Sequence, residues 1–120
     1  MFRIMCKSKI HNARVTHKNL NYEGSIGIDA SLLENCDILP GEKVDIFNLN
    51  SGARFSTYVI AEKAGSGRIS LNGAAARLAE VGDKIIIVSY GIVAENVARE
   101  FKKKVLIVDE GNRIIRKVES

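Results

Sequence analysis

The bond between Gly24 and Ser25, in Tyr22-Glu23-Gly24-Ser25-Ile26, has the makings of a self-cleaving peptide link. A serine hydroxyl that attacks the preceding carbonyl turns the amide into an ester. Glycine on the acyl side leaves that carbonyl unshielded and tolerates unusual dihedrals. Elimination from the ester leaves dehydroalanine, and hydrolysis of that leaves an N-terminal pyruvoyl group. An isolated Gly-Ser pair is ordinarily a turn in which Gly24 supplies a free φ and Ser25 caps the next strand, so the dipeptide alone leaves both readings open. Arg54 and Tyr58 lie four residues apart in Ala53-Arg54-Phe55-Ser56-Thr57-Tyr58-Val59-Ile60, and a period of two puts them on one strand face. A guanidinium matches a carboxylate through two parallel hydrogen bonds, which suits Arg54 to holding an acid; the alternative is a solvated surface arginine. Tyr58, a neutral acid at pH 7, could protonate a carbanion, or be a buried aromatic with a satisfied hydroxyl. Lys9 and His11 also share a face by alternation. Lys9 adds positive charge suited to a dicarboxylic ligand, or is a plain surface lysine; His11 orients a phenol or a ligand, or is structural. Tyr22 packs over a ligand or staples its loop. His17 reads as surface.

These residues need short strands to hold them. β-branched runs separated by Gly and Asn turns predict strands at about 2–10, 12–17, 25–29, 43–49, 53–61, 67–72, 84–90, 104–109 and 112–118. The strongest turns are Asn50-Ser51-Gly52, Gly65-Ser66-Gly67, Asn72-Gly73 and Glu110-Gly111-Asn112. Short helices fit at 30–36, with Asp29 as N-cap, at 74–79 and at about 94–101. Many short strands with few helices suggest a mainly β fold, a small closed barrel that removes exposed edges. Gly65-Ser66-Gly67 is a turn and not a phosphate loop, because no Lys-Ser/Thr pair follows it.

Composition sets the outer bounds. The 120 residues fit a single domain, residues 1–120, and 46% hydrophobic with 27% charged residues excludes wholesale disorder. Apolar runs such as Ile85-Ile86-Ile87-Val88 are far short of the ~20 residues of a membrane span. The first residues do not read as a secretory signal, and with no membrane segment the expectation is a cytoplasmic protein with both thiols reduced. Cys6 and Cys36 match no ligand spacing, read as small buried hydrophobes, and suggest no metal. The charge is uneven. Residues 1–24 carry Arg3, Lys7, Lys9, Arg14 and Lys18 against Glu23 alone, while the other 13 basic and 13 acidic residues cancel. That basic first fifth suits an anionic small molecule or nucleic acid. Three Tyr and four Phe make a poor base-stacking platform, and the reading adopted has no nucleic-acid partner.

Lys9-Ile10-His11, Val15-Thr16, Tyr22-Glu23-Gly24-Ser25, Ile28-Asp29, Gly52-Ala53-Arg54-Phe55-Ser56-Thr57-Tyr58, Asn72-Gly73-Ala74-Ala75-Ala76-Arg77 and Val81-Gly82-Asp83 follow one another in an order and spacing that closely resembles the pyruvoyl-dependent aspartate 1-decarboxylase family. The resemblance covers roughly residues 1–90; the last 25 or so are looser. It implies a double-psi β-barrel with a few short helices, assembled as a homotetramer with sites between subunits. It implies cleavage into a short chain 1–24 and a long chain 25–120, whose Ser25 becomes a covalent pyruvoyl group, with no pyridoxal phosphate and no metal. The activity implied is decarboxylation of L-aspartate to β-alanine and CO2, supplying pantothenate synthesis. A terminal ketone of this kind forms a Schiff base with the substrate amine and accepts electrons as CO2 leaves. Gly24 and Ser25 are then the cleavage residues and Ser25 and Tyr58 catalytic. Lys9, Arg54, Thr57, Asn72, Gly73, Ala74 and Ala75 bind substrate, with His11 and Tyr22 in support. Asn72 is also a candidate to hold the attacked carbonyl. Loss of CO2 removes negative charge, so Lys9 and Arg54 are expected on the carboxylate that stays. Thr57 should face away from Arg54 and Tyr58, yet the family sets it beside the cleavage site, which calls for a bulge or a neighbouring subunit. Ala53, where a polar residue is expected, and Phe47, where a Trp is sometimes found, depart from the family pattern. Cleavage proceeds unaided or with a maturation factor; the residues favour neither.

Overall fold

The computed structural model describes residues 1–120. Its elements run β1 (Phe2–Arg14), β2 (His17–Asn19), β3 (Ser25–Asp29), α1 (Ala30–Cys36), β4 (Lys43–Asn48), β5 (Arg54–Glu62), β6 (Ile69–Asn72), a 3-10 helix (Gly73–Leu78), β7 (Lys84–Ala94), α2 (Glu95–Ala98), β8 (Lys104–Val108) and β9 (Ile114–Glu119). The nine strands form one sheet in the order β2-β6-β3-β5-β4-β7-β1-β8-β9. Pairs β1–β8, β2–β6 and β3–β5 are parallel and the others antiparallel.

Alternation decides which faces turn inward. Val44 and Ile46 on β4, and Ile85 and Ile87 on β7, are fully buried, while their odd-even neighbours face out. With Ile10, Ile26, Ile28, Val59, Ile69, Leu71 and Leu106 they form one continuous core. Each fully buried Ile or Leu adds about 1.5–3 kcal/mol relative to exposure. The ladder does not close on itself, since its end strands β2 and β9 are unpaired with each other. It is nonetheless curled by the chain itself. Val15 and Thr16 lead from β1, seventh in the order, to β2, the first, with Val15 N–H donating to Asp83 O (3.0 Å) and Thr16 N–H to Ile69 O (2.8 Å). This mainly β, barrel-like architecture with short helices is compatible with a double-psi β-barrel.

Two buried polar side chains fasten the curl. Asp29 caps α1 through Ser31 N–H (2.8 Å) and also accepts from Gly65 N–H (3.0 Å) and Gly67 N–H (2.8 Å), so the glycine turn is anchored to the cap. Asn112, between β8 and β9, accepts from Arg14 N–H (2.8 Å) and donates to Arg14 O (2.9 Å) and Gly67 O (2.8 Å).

Some boundaries differ from the sequence expectation. The strands expected at 2–10 and 12–17 are one continuous β1 that ends at Arg14, with register shifts at Cys6/Ser8 and Ile10/Ala13, followed by the separate β2. Asn12, at φ 67°, absorbs the second irregularity, a conformation asparagine tolerates better than most residues. The helix expected at 94–101 is reduced to Glu95–Ala98, and the one at 74–79 is a single 3-10 segment. No helix is long and apolar enough to cross a membrane.

Candidate active site

Ser25 opens β3 opposite Asn72, the last residue of β6. Antiparallel partners share a face, and here the Asn72 Nδ2 amide donates to Ser25 Oγ at 3.0 Å, with both residues buried. The hydroxyl in turn donates to Glu23 O at 3.3 Å, across the bond in question. Asn72 makes no side-chain cap to the 3-10 helix that follows; its amide is committed to the serine. Gly73 turns the chain at φ +65°, and a Cβ there would lie 2.7 Å from Gly24 Cα and 2.8 Å from Gly24 N. Glycine is therefore required at 73 twice over, for conformation and for close approach. Tyr22 is largely exposed, and its carbonyl also lies against Gly73. Ala75 is buried and Ala74 exposed.

The parallel pairing of β3 with β5 sets Ile26 beside Val59. Ser25 and Tyr58 each stand one residue before that pair on their own strands. Asn72, Ser25 and Tyr58 thus form a row across three strands. β5 carries no register shift, so Thr57 faces inward beside its partner Val44, away from Arg54 and Tyr58, as alternation expects.

The other candidates share the outer face of the sheet without converging on Ser25. Arg54, at the start of β5, is ~13 Å along the strand from Tyr58. Its guanidinium lies 3.9 Å above the Phe47 ring and forms no ion pair, which leaves its N–H groups free for a carboxylate. Lys9 pairs with Val88, Val88 with Asp45, and Asp45 with Ser56, so Lys9 belongs to the row between Arg54 and Tyr58. In the strand order β1 and β3 are four positions apart. Lys9 and His11 instead line a separate cavity of about 280 Å³ with Lys103 and Arg116. Burial, then the positive charges of Lys9 and Lys84, hold the His11 imidazole below its ordinary pKa, and its Nδ1 is buried without a hydrogen-bond partner.

A cavity of about 480 Å³ adjoins the Ser25 row, lined by Asn72 and Tyr22 and by His17, Lys18, Glu62, Arg68 and Ser70 among others. Glu62 and Ser70 of this lining pack over Gly27 of β3, where any side chain would collide with them. His17 and Arg68 are not legible as site residues, although Arg68-Ile69-Ser70-Leu71-Asn72 alternates polar and apolar and so carries the signal. Cys36 is fully buried, its thiol pushed up to about 12 chiefly by desolvation, while Cys6 is half-buried; both thiols are free.

A serine held by an amide donor, with a glycine before it and a tyrosine on the adjacent strand, has the groups that an acyl shift and a proton delivery would require. The profile of the family described as aspartate decarboxylase matches residues 1–115. An aspartate 1-decarboxylase of Thermoanaerobacter pseudethanolicus is 58% identical over 113 residues, 94% of this chain and 97% of the relative. Proteins of the same name from Desulfitobacterium hafniense (57% over 116 residues, 97% of this chain and 91% of the relative) and Staphylococcus aureus (55% over 118 residues, 98% and 93%) are similar throughout.

Proposed function

The chain belongs to the aspartate decarboxylase family and is a decarboxylating lyase, and from that premise we propose that it acts on L-aspartate through a pyruvoyl group made from its own Ser25. The observation that carries this reading is the Asn72–Ser25–Gly24 geometry: a buried hydroxyl oriented by an amide, next to a carbonyl with no side chain over it. Ser25 Oγ attacks the Gly24 carbonyl carbon, and the C–N bond breaks as the C–O bond forms. The ester then loses the Ser25 Hα and breaks at Cβ–O, which frees a Gly24 carboxylate. Water replaces the nitrogen of the resulting dehydroalanine, and ammonia departs. In this reading Thr57, on the strand that runs beside β3, donates to the carbonyl under attack.

The pyruvoyl group supplies a carbonyl for the substrate amine and a sink for the electrons released with CO2. The remaining work falls to side chains. Tyr58, next to Ser25 in the row, delivers the proton that replaces CO2. Arg54, stacked on Phe47, holds the carboxylate that stays, because an ion pair to the departing one would oppose its loss. Lys9 serves the same carboxylate, and since it and His11 line a different cavity from the one beside Ser25, a second copy completes the site in this reading. The exposed apolar stripe of Phe2, Ile4 and Ile92, with Ile4 paired directly to Ile92, supports an assembly of several copies, a homotetramer in this reading. In this reading Gly73, Ala74 and Ala75 contact substrate through their backbone, with Ala74 exposed and Gly73 and Ala75 buried behind it. The product, β-alanine, supplies pantothenate synthesis in the cytoplasm.

The test is the denatured mass of the purified chain. Two fragments, 1–24 and 25–120, the larger lighter than its sequence by one ammonia, are expected, together with β-alanine formed from aspartate. A single full-length mass after prolonged warming refutes unaided cleavage; adding a cell extract then shows whether a maturation factor restores it.

A further inference from the structure

Arg54 and Asp45 are neighbours of opposite charge that do not pair. Phe47 stands opposite Arg54, and Asp45 opposite Ser56, which makes Asp45 and Arg54 diagonal neighbours on one face of β4 and β5. Residues so placed lie ~7–8 Å apart, within the span of a long side chain. The guanidinium nonetheless lies over the Phe47 ring at 3.9 Å, and Asp45 takes part in none of the chain's ion pairs. We infer that Tyr90 is a positioning residue: its hydroxyl holds the Asp45 carboxylate away from Arg54 and so keeps the guanidinium open to a substrate carboxylate. This rests on the reading that Arg54 binds the substrate acid and extends it to what keeps that arginine free.

The register places Tyr90 for this. Val88 of β7 stands opposite Asp45, and Tyr90, two residues on, takes the diagonal position on the same face. Asp45 therefore has Arg54 on its diagonal toward β5 and Tyr90 on the opposite diagonal toward β7. Burial raises the Tyr90 phenol above its ordinary pKa; the Asp45 charge, a hydrogen bond to Asp45 and the nearby Cys6 raise it further, and the Arg54 charge opposes them. The phenol stays protonated at neutral pH and has a proton to donate to the carboxylate. No cation claims Asp45 in its place. Lys43, two residues back on β4, and Lys9, opposite Val88 on β1, face the same side, and neither is ion-paired with it. Loss of the Tyr90 hydroxyl leaves Asp45 free to turn to Arg54. An incoming acid must then displace that pair, which weakens its apparent affinity by about two- to fivefold.

The experiment measures steady-state kinetics of the cleaved protein as wild type, Tyr90→Phe, and Tyr90→Phe combined with Asp45→Asn. Succinate, a dicarboxylate without the amine, serves as a competing probe. Tyr90→Phe is expected to raise KM for aspartate and the inhibition constant of succinate together by about two- to fivefold, with kcat little changed. Adding Asp45→Asn is expected to restore both constants, since a neutral amide has no ionic hold on Arg54. Unchanged constants in Tyr90→Phe overturn the inference, and so do constants that stay raised in the double variant, which would assign the loss to packing. Arg54→Gln tests the premise separately. If succinate inhibits that variant as it does the wild type, Arg54 does not bind the acid, and the reading of Arg54 falls together with the inference. A chain that makes no β-alanine refutes the proposed function and the inference with it.

Discussion

Gly73→Ala separates contact from strain at the Gly24–Ser25 bond, the one proposed to be cleaved. Carbon atoms in contact prefer ~3.5–4.0 Å, so a methyl placed 2.7 Å from Gly24 Cα must displace the Tyr22–Gly24 loop by about 1 Å. The alanine also adopts φ +65°, a left-handed conformation that costs about 1–2 kcal/mol. For a chain of this size that lowers Tm by roughly 4–8 °C. A displacement of ~1 Å between reacting groups is worth about 10²-fold in rate, so cleavage should slow about a hundredfold. Gly41→Ala is the control. It carries the same strain, at φ +88°, with nothing within 4 Å of the added methyl. It should lose similar stability and cleave normally. Mass spectra over a time course, with thermal melts of both variants, read the two effects separately. Normal cleavage in Gly73→Ala would refute the packing argument, and equal slowing in both variants would show that stability alone controls the rate.

Tyr58→Phe should cleave to completion yet lower kcat about 10²–10⁴-fold with little change in KM, the signature of a lost proton donor; a wild-type kcat would remove Tyr58 from that role. Arg54→Lys replaces a two-pronged contact with a point charge and should raise KM for aspartate about tenfold. Lower turnover at unchanged KM would assign Arg54 elsewhere. Burial by itself raises the Asp29 carboxyl, but hydrogen bonds from the Ser31 hydroxyl and from the Gly67, Ser31 and Gly65 amides outweigh it, and the net direction is down. A depressed carboxyl stabilises the fold above its unfolded pKa of ~3.9 and loses that contribution as pH falls through the folded value. Urea midpoints should therefore drop below about pH 4, with a flatter dependence in Asp29→Asn; parallel profiles would falsify the role of this cap.

Local chemistry is legible in the residues themselves. The Gly24-Ser25 pair, the alternation that buries Val44 and Ile46, the Asp29 cap and the Gly65–Gly67 turn each depend on residues within a few positions of one another. So do the shared faces of Arg54 with Tyr58 and of Lys9 with His11. Irregularity is not legible: β1 runs on to Arg14 because Asn12 adopts a positive φ and the ladder tolerates its bulge, which no local preference announces. Tertiary structure alone decides the neighbours. Ser25 faces Asn72, and β3 runs beside β5, because registers between distant strands align them. Lys9 lines a different cavity from the one beside its own Ser25, and the curl of the sheet places Arg68 on the wall of the latter. A strand's sequence sets which face each side chain takes, through the two-residue period of the backbone. Which residue stands across from it is set by how the whole sheet curls to bury its core, and that is a property of the chain entire.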